Sequence, residues 1–304
     1  MSAGLPSELS PGLLEQARSL ALWLERPLAS DATGRHRAKR VGGGGEFAEH
    51  RDYRRGDELR HIDWKAAARS DRLVVRQFEI DRRADLQLLV DRSASMSFGT
   101  TAGRSAPWGG DWPATKWELA RLAALTLAFV FLRGADRLGL TVVDGDTDRS
   151  TSGPLDKGRS GLERAAARLL ESPPNGRADI AAALRSLRVT PGRNLLVVIS
   201  DLLCEEPLAP LLSLHRAAGA EVWVFHVVDP AEIVFPYEEP TRFVDLESGD
   251  EAGLNPRDFG ATYRAEFAAF LVEQEQACSA AGLHYRRLVC DERFDHTLTE
   301  FLTR

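Results

Sequence analysis

Two short apolar runs, Leu86-Gln-Leu-Leu-Val90 and Leu195-Leu-Val-Val-Ile199, constrain the fold of this chain more than any other feature. A strand with one wet face alternates apolar and polar residues. These runs do not alternate, so both of their faces are buried, as in the central strands of a parallel sheet. Parallel neighbours need long crossovers, normally helices, and the spacing supplies them. The pattern predicts strands at 86–90, 138–143, 194–200, 221–228 and 283–289, and helices at 116–133, 160–171, 179–188, 207–218, 258–281 and 295–303. Leu119, Leu122, Ala123, Leu125, Leu127 and Phe129 make the helix at 116–133 apolar nearly all round, which marks it as buried. Asp144-Gly-Asp146 predicts a turn, with 147–152 returning antiparallel, and the prolines at 230, 236, 240 and 256 predict an irregular segment. The expectation is an α/β, Rossmann-like domain over 81–304, with a mostly parallel sheet and helices on both faces. An N-terminal extension over 1–80 is expected to pack on this core.

The extension reads differently. A helix is predicted at 8–27, where Ser10-Pro11 supplies a cap and first turn and Leu13, Leu14, Ala17, Leu20 and Leu24 share a face. Gly42–Gly45 predicts a flexible loop; no Gly-Lys-Ser/Thr follows to make it a phosphate loop. Residues 45–69 are charged and aromatic without clean periodicity, and Leu73–Phe78 reads as a strand. Across 35–83 there are 14 Lys/Arg against 9 Asp/Glu, while the rest of the chain has 25 against 36. A nucleic-acid surface of Arg54, Arg55, Arg60 and Arg69 with Tyr53 and Trp64 for stacking would need few acids nearby. The acids are interleaved throughout, so no nucleic acid is expected. Two readings remain: an ion-paired wrap with Ile62 and Trp64 packed inward, or a protein-docking face built on Arg54, Arg55, Arg60 and Trp64.

Composition excludes several classes. At 304 residues and 43% apolar the chain can bury a full core, and its net charge of −6 argues against a nucleic-acid coat. Cys204, Cys278 and Cys290 are odd in number and lack Cys-x-x-Cys spacing, which excludes a disulfide framework or a structural zinc site. The start of the chain lacks a signal peptide's charged and apolar regions. The longest strongly apolar run, Leu122–Leu132, holds 11 residues, against about 20 for a spanning helix. The expectation is a soluble, cytoplasmic protein without a membrane span.

Both central runs end in an aspartate: Asp91, followed by Ser93 and Ser95, and Asp201. In an open α/β sheet, ligands sit beyond the carboxyl ends of the strands, where the connections diverge. On an extended tip, residues two apart point the same way, so Asp91, Ser93 and Ser95 can converge. Carboxylate and hydroxyl oxygens suit Mg²⁺ or Ca²⁺, with water or a partner's carboxylate completing the shell. The plainer alternative is that these side chains only bond turn amides. There is no Gly-x-Ser-x-Gly elbow, His-Glu-x-x-His motif or phosphate-loop lysine. His215 and His226 read as surface and packing positions, and Cys204 has no His close in sequence to activate it.

Asp91-x-Ser93-x-Ser95 with Asp201 resembles the metal-ion-dependent adhesion site of von Willebrand factor A domains. Upstream, Gly45-Glu-Phe, Arg51-x-Tyr53, Gly56-Asp57, Arg60-x-Ile62-Asp63-Trp64-Lys65 and Ala68-Arg69 are similar to the signature of the bacterial family called "domain of unknown function 58" (DUF58). The resemblance covers roughly 35–304 and includes Asp229-Pro-Ala-Glu232 and Asp245-Leu-Glu-Ser-Gly249. It implies a von Willebrand A-like domain and a non-enzymatic interaction module with a divalent-metal site. The implied metal is Mg²⁺, held by Asp91, Ser93, Ser95 and Asp201. The implied partner is a MoxR-type AAA+ ATPase or its client, in chaperone-like assembly or metal insertion. One ligand departs from the pattern: Ala178 stands where a Thr is expected, and the adjacent Asp179 either substitutes or caps the following helix. The alternative function is a metal-dependent hydrolase or phosphatase using the same aspartates.

Overall fold

The computed structural model of the chain describes residues 46–52, 63–64, 74–79, 84–103, 113–133, 137–145, 151–152, 157–188, 193–290 and 297–300. The predicted helix at 8–27, the glycine run, and Arg54, Arg55 and Arg60 lie outside them. The described residues fall into two compact units, one within Pro27–Arg83 and one within Ala84–Arg304. No helix among them is long and apolar enough to cross a membrane.

In the smaller unit, strand β1 (Glu46–Asp52) pairs antiparallel with β2 (Val74–Glu79). The register shifts between Phe47 and Glu49. A bulge of this kind breaks the period of two, which is why β1 is not readable as a strand in the sequence. Trp64 is 61% exposed.

The larger unit is built on a sheet of β3 (Ala84–Arg92), β4 (Arg137–Asp144), β5 (Thr151–Ser152), β6 (Arg193–Ser200), β7 (Ala220–Val228) and β10 (His284–Val289). Their spatial order is β10-β7-β6-β3-β4-β5. Every pairing is parallel except β4 with the short edge strand β5. The helices are α1 (Lys116–Arg133), α2 (Gly158–Leu170), α3 (Ile180–Ser186), α4 (Leu208–Ala217), α5 (Pro230–Val234) and α6 (Pro256–Ala280).

The sheet is covered on both faces, as the apolar runs require. Along β6, Leu195, Val197 and Ile199 join α1 and α2 in one buried cluster, while Leu196 and Val198 join α3, α4 and Cys278 of α6 in the other. That division is the strand period of two written into the core. Helix α1 contributes to its cluster from most of its circumference, from Trp117 and Leu119 to Ala128 and Leu132, so amphipathic patterning is weak there. This is the mostly parallel α/β arrangement, with helices on both faces, that the sequence pattern predicts.

The connections fix where a ligand or partner can sit. The chain leaves β3 for α1 on one face of the sheet and leaves β6 for α4 on the other. β3 and β6 are neighbours, so the switch point of the sheet lies between their C-terminal ends.

The segment expected to be irregular after β7 instead contains α5 and a hairpin of β8 (Thr241–Val244) with β9 (Glu251–Leu254). Four-residue strands carry too little periodicity to be read locally. The hairpin is held by aromatic packing: Phe243 stacks on Phe235 and meets Tyr237 and Phe259 edge-on. Phe235 takes a left-handed conformation, φ 50°, to end α5 and bring its ring into this group.

Candidate functional site at the strand ends

All four residues expected from the sequence meet at this switch point. Asp91 and Asp201 are buried, 2% and 3% exposed, as is Ser93. The chain after β3 is not an extended tip: Ala94–Ser97 form a 3₁₀ turn preceded by an extended Ser93. The turn, rather than strand alternation, brings the two serine hydroxyls to 3.0 Å from each other.

Hydrogen bonds reach both carboxylates. Asp91 Oδ1 accepts the Ser93 amide at 2.8 Å, and Oδ2 accepts the Ser200 hydroxyl at 2.6 Å. The Ser93 hydroxyl also favours the charged form of Asp91, and the Ser95 hydroxyl that of Asp201. Asp201 Oδ1 accepts the Leu203 amide at 3.2 Å. Asp91 thus bonds a turn amide, as the plainer reading had it, and a neighbouring strand as well. Leu202 takes a left-handed φ of 58°, a costly conformation for a bulky residue. It returns to the core while Leu203 stands 47% exposed.

A lysine completes the group. Lys116, the first residue of α1, is 1% exposed. Its Nζ donates to Asp201 Oδ2 and to Glu232 Oε1, each at 2.8 Å. Glu232 Oε2 accepts the Asp229 amide at 2.8 Å, closing a capping box at the start of α5. Asp229 in turn accepts the Thr100 amide at 2.9 Å and the Thr100 hydroxyl at 2.7 Å. One network therefore ties the ends of β3, β6 and β7 to the start of α1.

Electrostatics separates the two aspartates. Burial pushes Asp91 up to about 7, with the charge of Asp201 adding to it and the Ser200 and Ser93 bonds opposing. Burial works against Asp201 too, but the Lys116 ammonium outweighs it and holds that carboxyl below its usual range. Glu232 shares the same lysine yet is raised, by burial first and by Asp201 in part. Burial alone would lower Lys116, and the two carboxylates overcome it to hold the ammonium above an ordinary lysine. Burial lowers His226 to about 4, so it is neutral; its Nδ1 lies 2.7 Å from the Tyr285 hydroxyl. Burial and the nearby aspartates push the Cys204 thiol up to about 11, the opposite of a reactive cysteine.

Ala178 lies in the apolar cluster with Leu89 and Val143. Asp179 caps α3: its Oδ1 accepts the Ala182 amide at 2.7 Å. Asp179→Ala is expected to lower stability by about 1 kcal/mol, read as a small drop in the thermal midpoint with the strand-end bonds intact. A midpoint equal to the wild type would remove the cap.

The donor set does not fit a resident divalent ion. Mg²⁺ demands near-octahedral oxygen ligands. Here the Asp91 oxygens accept the Ser93 amide and the Ser200 hydroxyl, the two serine hydroxyls meet each other, the Thr position offers no oxygen, and an ammonium already occupies one oxygen of Asp201. Lys116, Ser200 and Glu232 were not found as site residues from the sequence. Lys116 had one usable signal: a rare lysine in an arginine-rich chain, opening a helix, where cations are disfavoured.

A family model described as "Protein of unknown function DUF58" matches residues 49–277. An uncharacterized protein of Mycobacterium tuberculosis (strain ATCC 25618 / H37Rv) is 32% identical over 285 residues, covering 91% of this chain and 85% of the relative. Among solved structures, the conserved hypothetical protein BatB from Bacteroides thetaiotaomicron is similar with a TM-score of 0.44 at 16% identity, over 72% of this chain and 97% of that one. An aerotolerance-related membrane protein from Bacteroides fragilis NCTC 9343 gives 0.45 at 17% identity, over 72% and 96%.

Proposed function

Because this chain belongs to the family described as "Protein of unknown function DUF58", we propose that it is a protein-interaction module docking a MoxR-type AAA+ ATPase, or that ATPase's client, in chaperone-like assembly or metal insertion. The partner class rests on the family resemblance. The docking place rests on one observation. At the switch point the carboxylates and hydroxyls bond one another below the surface, while Leu203, two residues past Asp201, stands exposed at the rim. Glu205, two residues further along the chain, holds Arg177 together with Glu247, the latter at 2.9 Å. An exposed leucine two residues from an arginine–glutamate pair has side chains of the kind that docking patches use. Catalysis would instead need its acid or base open to substrate, and Asp91 and Asp201 are closed over.

The test is capture of the MoxR-type ATPase encoded in the same genome by the purified chain. Leu203→Asp is expected to weaken capture roughly tenfold or more, the equivalent of about 1.4 kcal/mol, with the thermal midpoint unchanged. Undiminished capture by this variant removes the strand-end docking site. No capture by the wild type removes the partner.

A further inference from the structure

We propose that Lys116 is the resident cation of the strand-end site, supplying through its ammonium the positive charge that a divalent ion supplies in metal-ion-dependent adhesion sites. The site is then complete without a metal. This concerns the same strand ends, and its functional meaning rests on the docking reading above.

Three observations carry it. The first is placement. Lysine is almost never fully buried unless paired, and here the pairing is double, at 2.8 Å to both Asp201 and Glu232. The position works against the helix itself, because a cation at a helix N-terminus opposes the macrodipole. The two carboxylates, not α1, account for a lysine there. The second is anchorage. The Lys116 amide donates to the Phe98 carbonyl at 2.9 Å, and Glu118 accepts the Ala114 amide at 2.6 Å. A Cβ at Gly99 would stand 2.0 Å from the Ala114 carbonyl oxygen, so the loop from β3 lies directly on the start of α1. The ammonium's position is thereby set by backbone as well as by its partners.

The third is what a metal would meet. A divalent ion shared by Asp91 and Asp201 would sit one carboxylate away from a fixed positive charge, and nearby like charges at low dielectric repel strongly. Displacing the ammonium would leave it buried against Glu232 alone, and Glu232 also holds the Asp229 amide that starts α5. The lysine also reaches where an ion would not: it bonds the end of β6 directly to α5. A partner docking here meets a pre-formed, internally neutralised surface. It need not bring a carboxylate to complete a metal shell.

The experiment is thermal unfolding of the full chain in EDTA and in excess MgCl₂ or MnCl₂, with calorimetric titration of each metal. The expected result is one midpoint throughout and no saturable heat. A resident ion at a hundred times its dissociation constant would raise the midpoint by roughly 5–10 °C for a domain of this size; such a rise, lost in Asp91→Asn, overturns the proposal. Lys116→Ala opens the cation position between Asp201 and Glu232, and this variant is expected to gain a Mn²⁺-dependent rise that the wild type lacks. A folded Lys116→Ala chain indifferent to Mn²⁺ overturns the equivalence of ammonium and metal. The wild-type comparison decides even where that variant does not fold. A metal-dependent midpoint with Leu203-sensitive capture intact removes this proposal alone. A metal-indifferent midpoint with capture insensitive to Leu203→Asp removes the docking site alone.

Discussion

Lys116→Met is expected to lower the unfolding free energy by roughly 3–5 kcal/mol, the usual cost of removing one partner from a buried ion pair. Methionine keeps most of the stem's volume, so the loss is electrostatic. Asp201 and Glu232 are left as buried carboxylates without their shared cation. The Leu203 amide remains on Asp201, and the Asp229 amide remains on Glu232. These neutral donors do not replace a charge. The thermal midpoint should fall by roughly 10 °C. Adding Glu232→Gln to Lys116→Met should recover part of the loss, because it removes one of the two stranded charges, whereas Glu232→Gln alone is expected to destabilise. That change of sign is the signature of a coupled pair. A midpoint within a degree or two of the wild type for Lys116→Met would show that the ion pair contributes nothing to the fold.

Asp91→Asn and His226→Gln are expected to tilt the dependence of stability on pH in opposite directions. Asp91 is raised in the folded chain from 3.8 to about 7. The folded state therefore binds the proton more tightly than the unfolded one, so this contribution is fully present below about 4 and is lost as pH rises through about 7. His226 is depressed from 6.5 to about 4. Its contribution is fully present above about 6.5 and is lost as pH falls through about 4. Between about 4 and 6.5 the two slopes oppose each other, each at most about 1.4 kcal/mol per pH unit for a single proton. Relative to the wild type, Asp91→Asn should gain stability as pH rises across this window, and His226→Gln should gain it as pH falls. Glutamine can still meet the Tyr285 hydroxyl that His226 contacts, so the change in slope reports the lost titration. Urea midpoints of the three chains at several pH values measure it. Difference curves that are flat, or that tilt the same way, would mean that these two groups do not carry the protons.

The larger unit was legible because its evidence is local. A run such as Leu195–Ile199 has no wet face to alternate with, and that demands cover on both sides wherever the strand lies. Helix α1 was readable to the residue, since its apolar stretch opens at Lys116 after a polar loop and closes at Arg133. The bulged β1 and the four-residue strands β8 and β9 were not. Their pairing depends on a register shift in one case and on rings from Phe235, Tyr237 and Phe259 in the other.

The candidate site divides along the same line. Asp91, Ser93 and Ser95 lie within five residues, and Asp201 closes a second strand of the same kind, so sequence alone determined which oxygens end the central strands. It also determined that Ala178 brings no ligand. What the sequence could not determine is what neutralises them. Lys116 is 85 residues from Asp201 and 116 from Glu232, and Ser200 is 109 from Asp91. Apolar periodicity is written residue by residue, because burial acts on each side chain where it stands. Charge pairing depends on distance in space, and only the folded sheet, with β3 beside β6 and the Lys116 amide bonded to the Phe98 carbonyl, brings a lysine onto Asp201.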